Sequence, residues 1–183
     1  IAKVFPDAKY VVLTRHPLAT FSSFANSFFD GDYAEAQRYN PILNRYVPAL
    51  AQFLRQDEVI PFHVKYEDLV RNPDTWMERI CDYVGVRFEP EMVEYGRNAT
   101  PVKGLGDPIG VRQHSRPTTK SVAKWVEELA ADPAKQALMR EVIAQLDPED
   151  LATLGYPIET LWRPLEDYSG SPTPRREKLT RYR

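Results

Sequence analysis

Arg15 and Ser23 are the first residues along the chain whose types and spacing could do chemistry. Arg15 closes the apolar run Tyr10-Val11-Val12-Leu13-Thr14, and Pro17, two residues later, suits the first turn of a helix. The arginine therefore stands where a strand ends and a helix begins, the crevice in which open α/β sheets bind ligands. A guanidinium fork at that point, with the Ser23 hydroxyl near the second turn of the helix, makes a site for a phosphate-like anion. The alternative is an arginine paired with a neighbouring carboxylate and a serine that packs passively.

A second feature is the distribution of charge. Between Arg97 and Lys124 lie six basic residues, Arg97, Lys103, Arg112, Arg116, Lys120 and Lys124, against the single acid Asp107. The rest of the chain holds 18 bases and 25 acids, and the net charge is −2. A basic, Gly/Pro-rich stretch on an acidic protein suggests a small anionic ligand rather than a long polyanion, so no nucleic-acid partner is expected. A solvated loop without a ligand is the competing reading. Cys81 is the only cysteine, and His16, His63 and His114 are far apart with no ligand spacing, so neither a disulfide framework nor a metal is expected. His63, inside a strand pattern, reads as a packed histidine, and His16 is not promoted to a base. No apolar run approaches the roughly 18 residues of a membrane helix and no leader pattern opens the chain, which predicts a cytoplasmic protein without a membrane span.

The elements that must position these residues follow from periodicity and punctuation. With 183 residues, 43% of them apolar, the chain fits one domain. Residues 10–14 and 59–65 read as strands, the first continuously apolar and therefore buried on both faces of a parallel sheet. Helices are predicted over 18–29, from an Asn40 cap through a kink at Pro48, and from Asn72-Pro73-Asp74 to Gly85. Residues 97–120 form a long basic loop, and further helices span 121–131, 133–146 and 148–154. The domain is placed at 1–163 and a Pro/Arg-rich tail at 164–183. This order predicts an α/β layer, a parallel sheet flanked by helices. Two strands do not make a stable sheet, and Ile1 is not an initiator methionine. An upstream segment of the same domain, carrying partner strands, is therefore expected.

Three stretches carry a family resemblance. Pro6-Asp7-Ala8-Lys9-Tyr10-Val11-Val12-Leu13-Thr14-Arg15-His16-Pro17 through Ser23 resembles the 3′-phosphate-binding segment of sulfotransferases that use 3′-phosphoadenosine 5′-phosphosulfate (PAPS). Val64-Lys65-Tyr66-Glu67-Asp68-Leu69-Val70, followed by Asn72-Pro73 and Ile80 to Val86, is similar to that family's "YEDL…P…I…FLG" stretch. Ser121-Val122-Ala123-Lys124-Trp125 resembles its "SVGRW" helix start. The matches follow the family's order over roughly residues 4–130, closest to the bacterial and tyrosylprotein-type branch.

The resemblance implies a P-loop-like α/β fold and transfer of a sulfuryl group from PAPS to the hydroxyl or amine of a small-molecule or peptide acceptor, without a metal. It implies Arg15 and Ser23 as ligands of the 3′-phosphate and Tyr66 near the adenine or buttressing the site. Arg116 is the candidate loop cation, with Arg112 and Lys120 as rivals. The family's Gly-rich 5′-phosphosulfate loop and its catalytic base have no counterpart in these stretches. The missing N-terminal strand and helix are expected to carry them, with this chain supplying the 3′-phosphate-binding half. A small-molecule kinase of P-loop ancestry and a non-catalytic binding module remain the alternatives.

Overall fold

Two four-residue strands, Val11–Thr14 (β1) and Phe62–Lys65 (β2), pair in parallel, with Val11 opposite Phe62 and Thr14 opposite Lys65. The computed structural model describes residues 5, 7–94 and 115–170. The parallel arrangement is the one expected, but the strands are shorter and the burial of β1 differs. Its side chains alternate, Val12 and Thr14 inward, with Val11 41% and Leu13 50% exposed. A continuous apolar run does not distinguish one covered face from two. Among the described residues β1 has a strand neighbour on one side only. On the outer face Phe62 of β2 meets Trp76 and Tyr83 of a covering helix, whereas Val11 and Leu13 of β1 stay partly in water.

Between the strands run three helices, Pro17–Phe28 (α1), Tyr33–Tyr39 (α2) and Ile42–Leu54 (α3). After β2 come Tyr66–Arg71 (α4) and Pro73–Val84 (α5). A 3₁₀ turn at Thr119–Ser121 precedes Lys124–Ala131 (α6), Pro133–Ala144 (α7), Pro148–Thr153 (α8), Ile158–Leu161 (α9) and Arg163–Glu166 (α10). Proline opens α1, α5, α7 and α8, where its fixed φ fits and its missing N–H costs nothing. Asp132 and Asp147 cap α7 and α8 through their side chains. Gly85, at φ +84°, ends α5 in the left-handed conformation.

Three expectations change. Asn40 does not cap α3. It ends α2, its N–H bonding Ala36 O, and Pro41 takes the cap position, because α2 runs straight up to it. The helix expected at Ser121 begins at Lys124, behind the 3₁₀ turn. The packed chain also continues past residue 163, since Leu165 and Tyr168 lie against the core. The rest of the expected tail, 171–183, and most of the basic loop, 97–114, lie outside the described residues.

The core is helical rather than sheet-centred. Leu18, Phe21 and Ala25 of α1 meet Leu43, Val47 and Ala51 of α3, together with Trp125 and Leu129 of α6 and Met139 of α7. Helix α3 continues through Pro48 because Leu43, Val47 and Ala51 are fully buried on one face. The small parallel sheet leans on this bundle by its inner face, which leaves the C-terminal ends of β1 and β2 side by side.

Candidate functional site

At those strand ends three segments converge. Thr14 points inward, its hydroxyl donating to Leu154 O at 3.2 Å and lying 2.8 Å from His63 Nε2. Arg15 follows, with its guanidinium over the Tyr66 ring, 4.6 Å from the centroid. Arg15 Nη2 donates to Ser121 O at 3.1 Å, and the Tyr66 hydroxyl and Ser121 Oγ are 2.9 Å apart. The late start of α6 makes this possible, because Ser121 O is left free of the helix ladder and can accept from the arginine.

Arg15 is half-buried, and its Nε–H is buried with no partner. Among the described residues it forms no ion pair. A guanidinium carries five N–H donors, so most of its capacity is unspent. A partly desolvated cation stacked on an aromatic ring, with donors to spare and no ion pair among the described residues, is chemically suited to a phosphate or sulfate oxygen.

Immediately beneath lies a buried polar layer. Glu67 Oε1 accepts from the His16 backbone N–H at 3.0 Å, and Glu67 Oε2 accepts from the Tyr156 hydroxyl at 2.6 Å. The His16 ring stacks on Trp125 at 4.5 Å, and its Nε2–H donates to Leu161 O at 3.1 Å, leaving Nδ1 buried without a partner. Burial pulls the His16 pKa down to about 4, overriding the Glu67 carboxylate and the Leu161 carbonyl, which act to raise it. Burial and the bond to Glu67 push the Tyr156 hydroxyl upward. His63 is also lowered, by burial and by Lys65. Lys65 Nζ donates to Gly155 O at 2.6 Å and lies over the Tyr156 ring, fastening the loop after α8 to the end of β2. His16 is therefore a neutral packing residue.

The structure brings Arg15 and Tyr66 into contact and places Lys120, exposed, one residue before their shared partner Ser121. Ser23 lies at the surface of α1, outside that contact. The neighbouring Ser22 is buried and donates to Glu128, which also accepts from Asn26 and Tyr33. Arg116 is engaged by the carboxylates of Asp74 and Glu94, the latter at 2.9 Å, beside an open cavity of about 360 Å³ along the C-terminal half of α4. Arg112 and His114 lie outside the described residues. Sequence reasoning singled out neither Ser121 nor Glu67 as a site residue, although both stand inside motifs it quoted. Among the described residues no group of His, Cys, Asp and Glu is placed to hold a metal, and no helix is long and apolar enough to cross a membrane.

Comparisons with known proteins agree on one family. Residues 1–90 match the sulfotransferase family model. The chain is 22% identical over 169 residues to protein-tyrosine sulfotransferase 1 of Danio rerio, covering 85% of this chain and 44% of that protein. It is 27% identical over 128 residues to carbohydrate sulfotransferase 2 of Mus musculus, covering 68% and 23%. Against the sulfotransferase domain of the Synechococcus PCC 7002 olefin synthase it is 30% identical over 77% of this chain and 50% of that one, with a TM-score of 0.49. The chain thus spans under half the length of the curated relatives it matches.

Proposed function

Because the chain belongs to the sulfotransferase family, we propose that it supplies the 3′-phosphate-binding half of an enzyme that moves a sulfuryl group from PAPS to an acceptor hydroxyl or amine. The observation that carries this reading is Arg15. It is a half-buried cation at the C-terminal end of a parallel strand, stacked on Tyr66, with an unpartnered Nε–H and no ion pair among the described residues.

In this reading the guanidinium of Arg15 binds the 3′-phosphate, Tyr66 holds the guanidinium plane, and Ser121 fixes both through its carbonyl and hydroxyl. Ser23, Lys120 and Arg116 are the further cations and hydroxyl assigned to the donor's phosphates, as is Arg112 beyond the described residues. Arg116 would have to leave Asp74 and Glu94 to do so. When bound, PAPS supplies the sulfuryl group and the bisphosphate departs. The contribution of these residues is positioning and charge balance. The acceptor is a small molecule or a peptide.

The test is transfer of a labelled sulfuryl group from PAPS to a panel of hydroxyl and amine acceptors by the protein containing this chain. Arg15→Ala removes charge-assisted bonds that contribute about 1.5–3 kcal/mol, so kcat/KM should fall roughly 10- to 100-fold. Transfer that survives Arg15→Ala undiminished would remove Arg15 from the site, and no transfer to any acceptor would overturn the proposed reaction.

A further inference from the structure

We propose that Glu67 is a positioning residue for the nucleotide site, its carboxylate clasping the turn after β1 to the start of α4 and so setting Arg15 over Tyr66. This rests on the nucleotide-binding reading above and adds a residue to it.

Glu67 and Asp150 are the buried carboxylates among the described residues. Asp150 has a cation, Arg55, at 2.5 Å. Glu67 has none, and it accepts instead from two neutral donors, the His16 N–H and the Tyr156 O–H. Burying a carboxylate without a cation is costly, and hydrogen bonds offset that cost only when both oxygens are satisfied. What this carboxylate contributes is geometric. His16 follows Arg15 and Glu67 follows Tyr66. The bond from His16 N to Glu67 therefore joins the same two segments as the Arg15–Tyr66 stack, one residue further along each. Those segments are 51 residues apart in sequence and are held here by side chains rather than by strand pairing, which ends at Thr14 and Lys65. The second oxygen fixes the carboxylate itself. Tyr156 sits in a loop whose Gly155, at φ +87°, presents its carbonyl to Lys65 at the end of β2. Glu67 touches no ligand in this scheme. It acts through Arg15 and Tyr66.

The test compares Glu67→Ala, Glu67→Gln and Tyr156→Phe in the full protein by calorimetric titration with adenosine 3′,5′-bisphosphate, alongside thermal melting. Glu67→Ala should weaken binding roughly 10-fold or more, since a misplaced anchor loses much of its bonding geometry. Glu67→Gln keeps an oxygen for the His16 N–H and should restore affinity to within about threefold of wild type. Tyr156→Phe leaves the His16 bond in place but frees the second carboxylate oxygen, so it should weaken binding by less than Glu67→Ala does while also lowering the melting temperature. A loss of affinity that only tracks the loss of melting temperature across the variants would overturn the positioning role. If Glu67→Ala does not fold, Glu67→Asp, one methylene shorter, should show the affinity loss. Wild-type affinity in the Ala or Asp variant overturns the positioning role and leaves the nucleotide reading standing. A wild-type protein that does not bind the bisphosphate overturns both.

Discussion

Acidification should destabilise this fold through His16, and the size of the effect can be worked out. The ring lies against Trp125, donates to Leu161 O through Nε2–H, and has no acceptor for a proton on Nδ1. Its pKa is therefore about 4 in the folded protein against an ordinary 6.5. The sign follows from the lowered value: the unfolded chain takes up a proton that the folded chain refuses, so stability falls with pH below 6.5 and levels off beneath 4. Between pH 7 and 5 this linkage amounts to about 2 kcal/mol, and it approaches about 3 kcal/mol at pH 4. Carboxylates also titrate in that range, so the measurement is a difference. His16→Gln replaces the ring with a neutral amide that can still donate to Leu161 O. Urea unfolding of both proteins at pH 7, 6 and 5 should show the wild type losing about 2 kcal/mol more than His16→Gln across the window. Parallel losses in the two proteins would mean that His16 takes up its proton freely in the folded state, and the buried, neutral assignment would be wrong.

Two further perturbations test the supports of the site. Gly155→Ala forces a Cβ into a left-handed position and against the Lys65 side chain, so it should cost about 1–3 kcal/mol in urea unfolding; unchanged stability would refute the close approach. Glu128→Ala strips the shared acceptor from Ser22, Asn26 and Tyr33, which join α1 and α2 to α6, and should cost about 2 kcal/mol, visible as a lower melting temperature. No shift in melting would mean that water replaces the carboxylate without loss.

Local rules made much of the frame legible. Asn72-Pro73, Asp132-Pro133 and Asp147-Pro148 each mark a helix start for a reason internal to a few residues, and Gly85 marks an end for the same kind of reason. The parallel pair was also readable, from two short apolar runs separated by helical patterns. Helix α2 was not, because its buried positions are Tyr33 and the small Ala36, too little apolar weight to register as a period. The exposed face of β1 was hidden by its own composition, since Val11 and Leu13 are as apolar as Val12. At the site, Arg15 and Tyr66 were legible as motif residues. Ser121 and Glu67 acquire their roles from contacts across 106 and 51 residues, and no local pattern encodes which carbonyl stays free or which carboxylate is buried. Ser22 and Ser23 show the same limit: adjacent hydroxyls, one turned in to Glu128 and one out to water, distinguished only by the packing of α1 on α6.

The central claim, that Arg15 reads the 3′-phosphate, is tested most directly by a two-by-two binding cycle. Adenosine 3′,5′-bisphosphate and adenosine 5′-monophosphate are titrated calorimetrically into the wild type and into Arg15→Ala. The wild type should prefer the bisphosphate by roughly 10- to 100-fold, the share of affinity that charge-assisted bonds to the extra phosphate contribute, and Arg15→Ala should bind the two nucleotides nearly equally. A preference that persists in Arg15→Ala would contradict the assignment and place the 3′-phosphate on other residues.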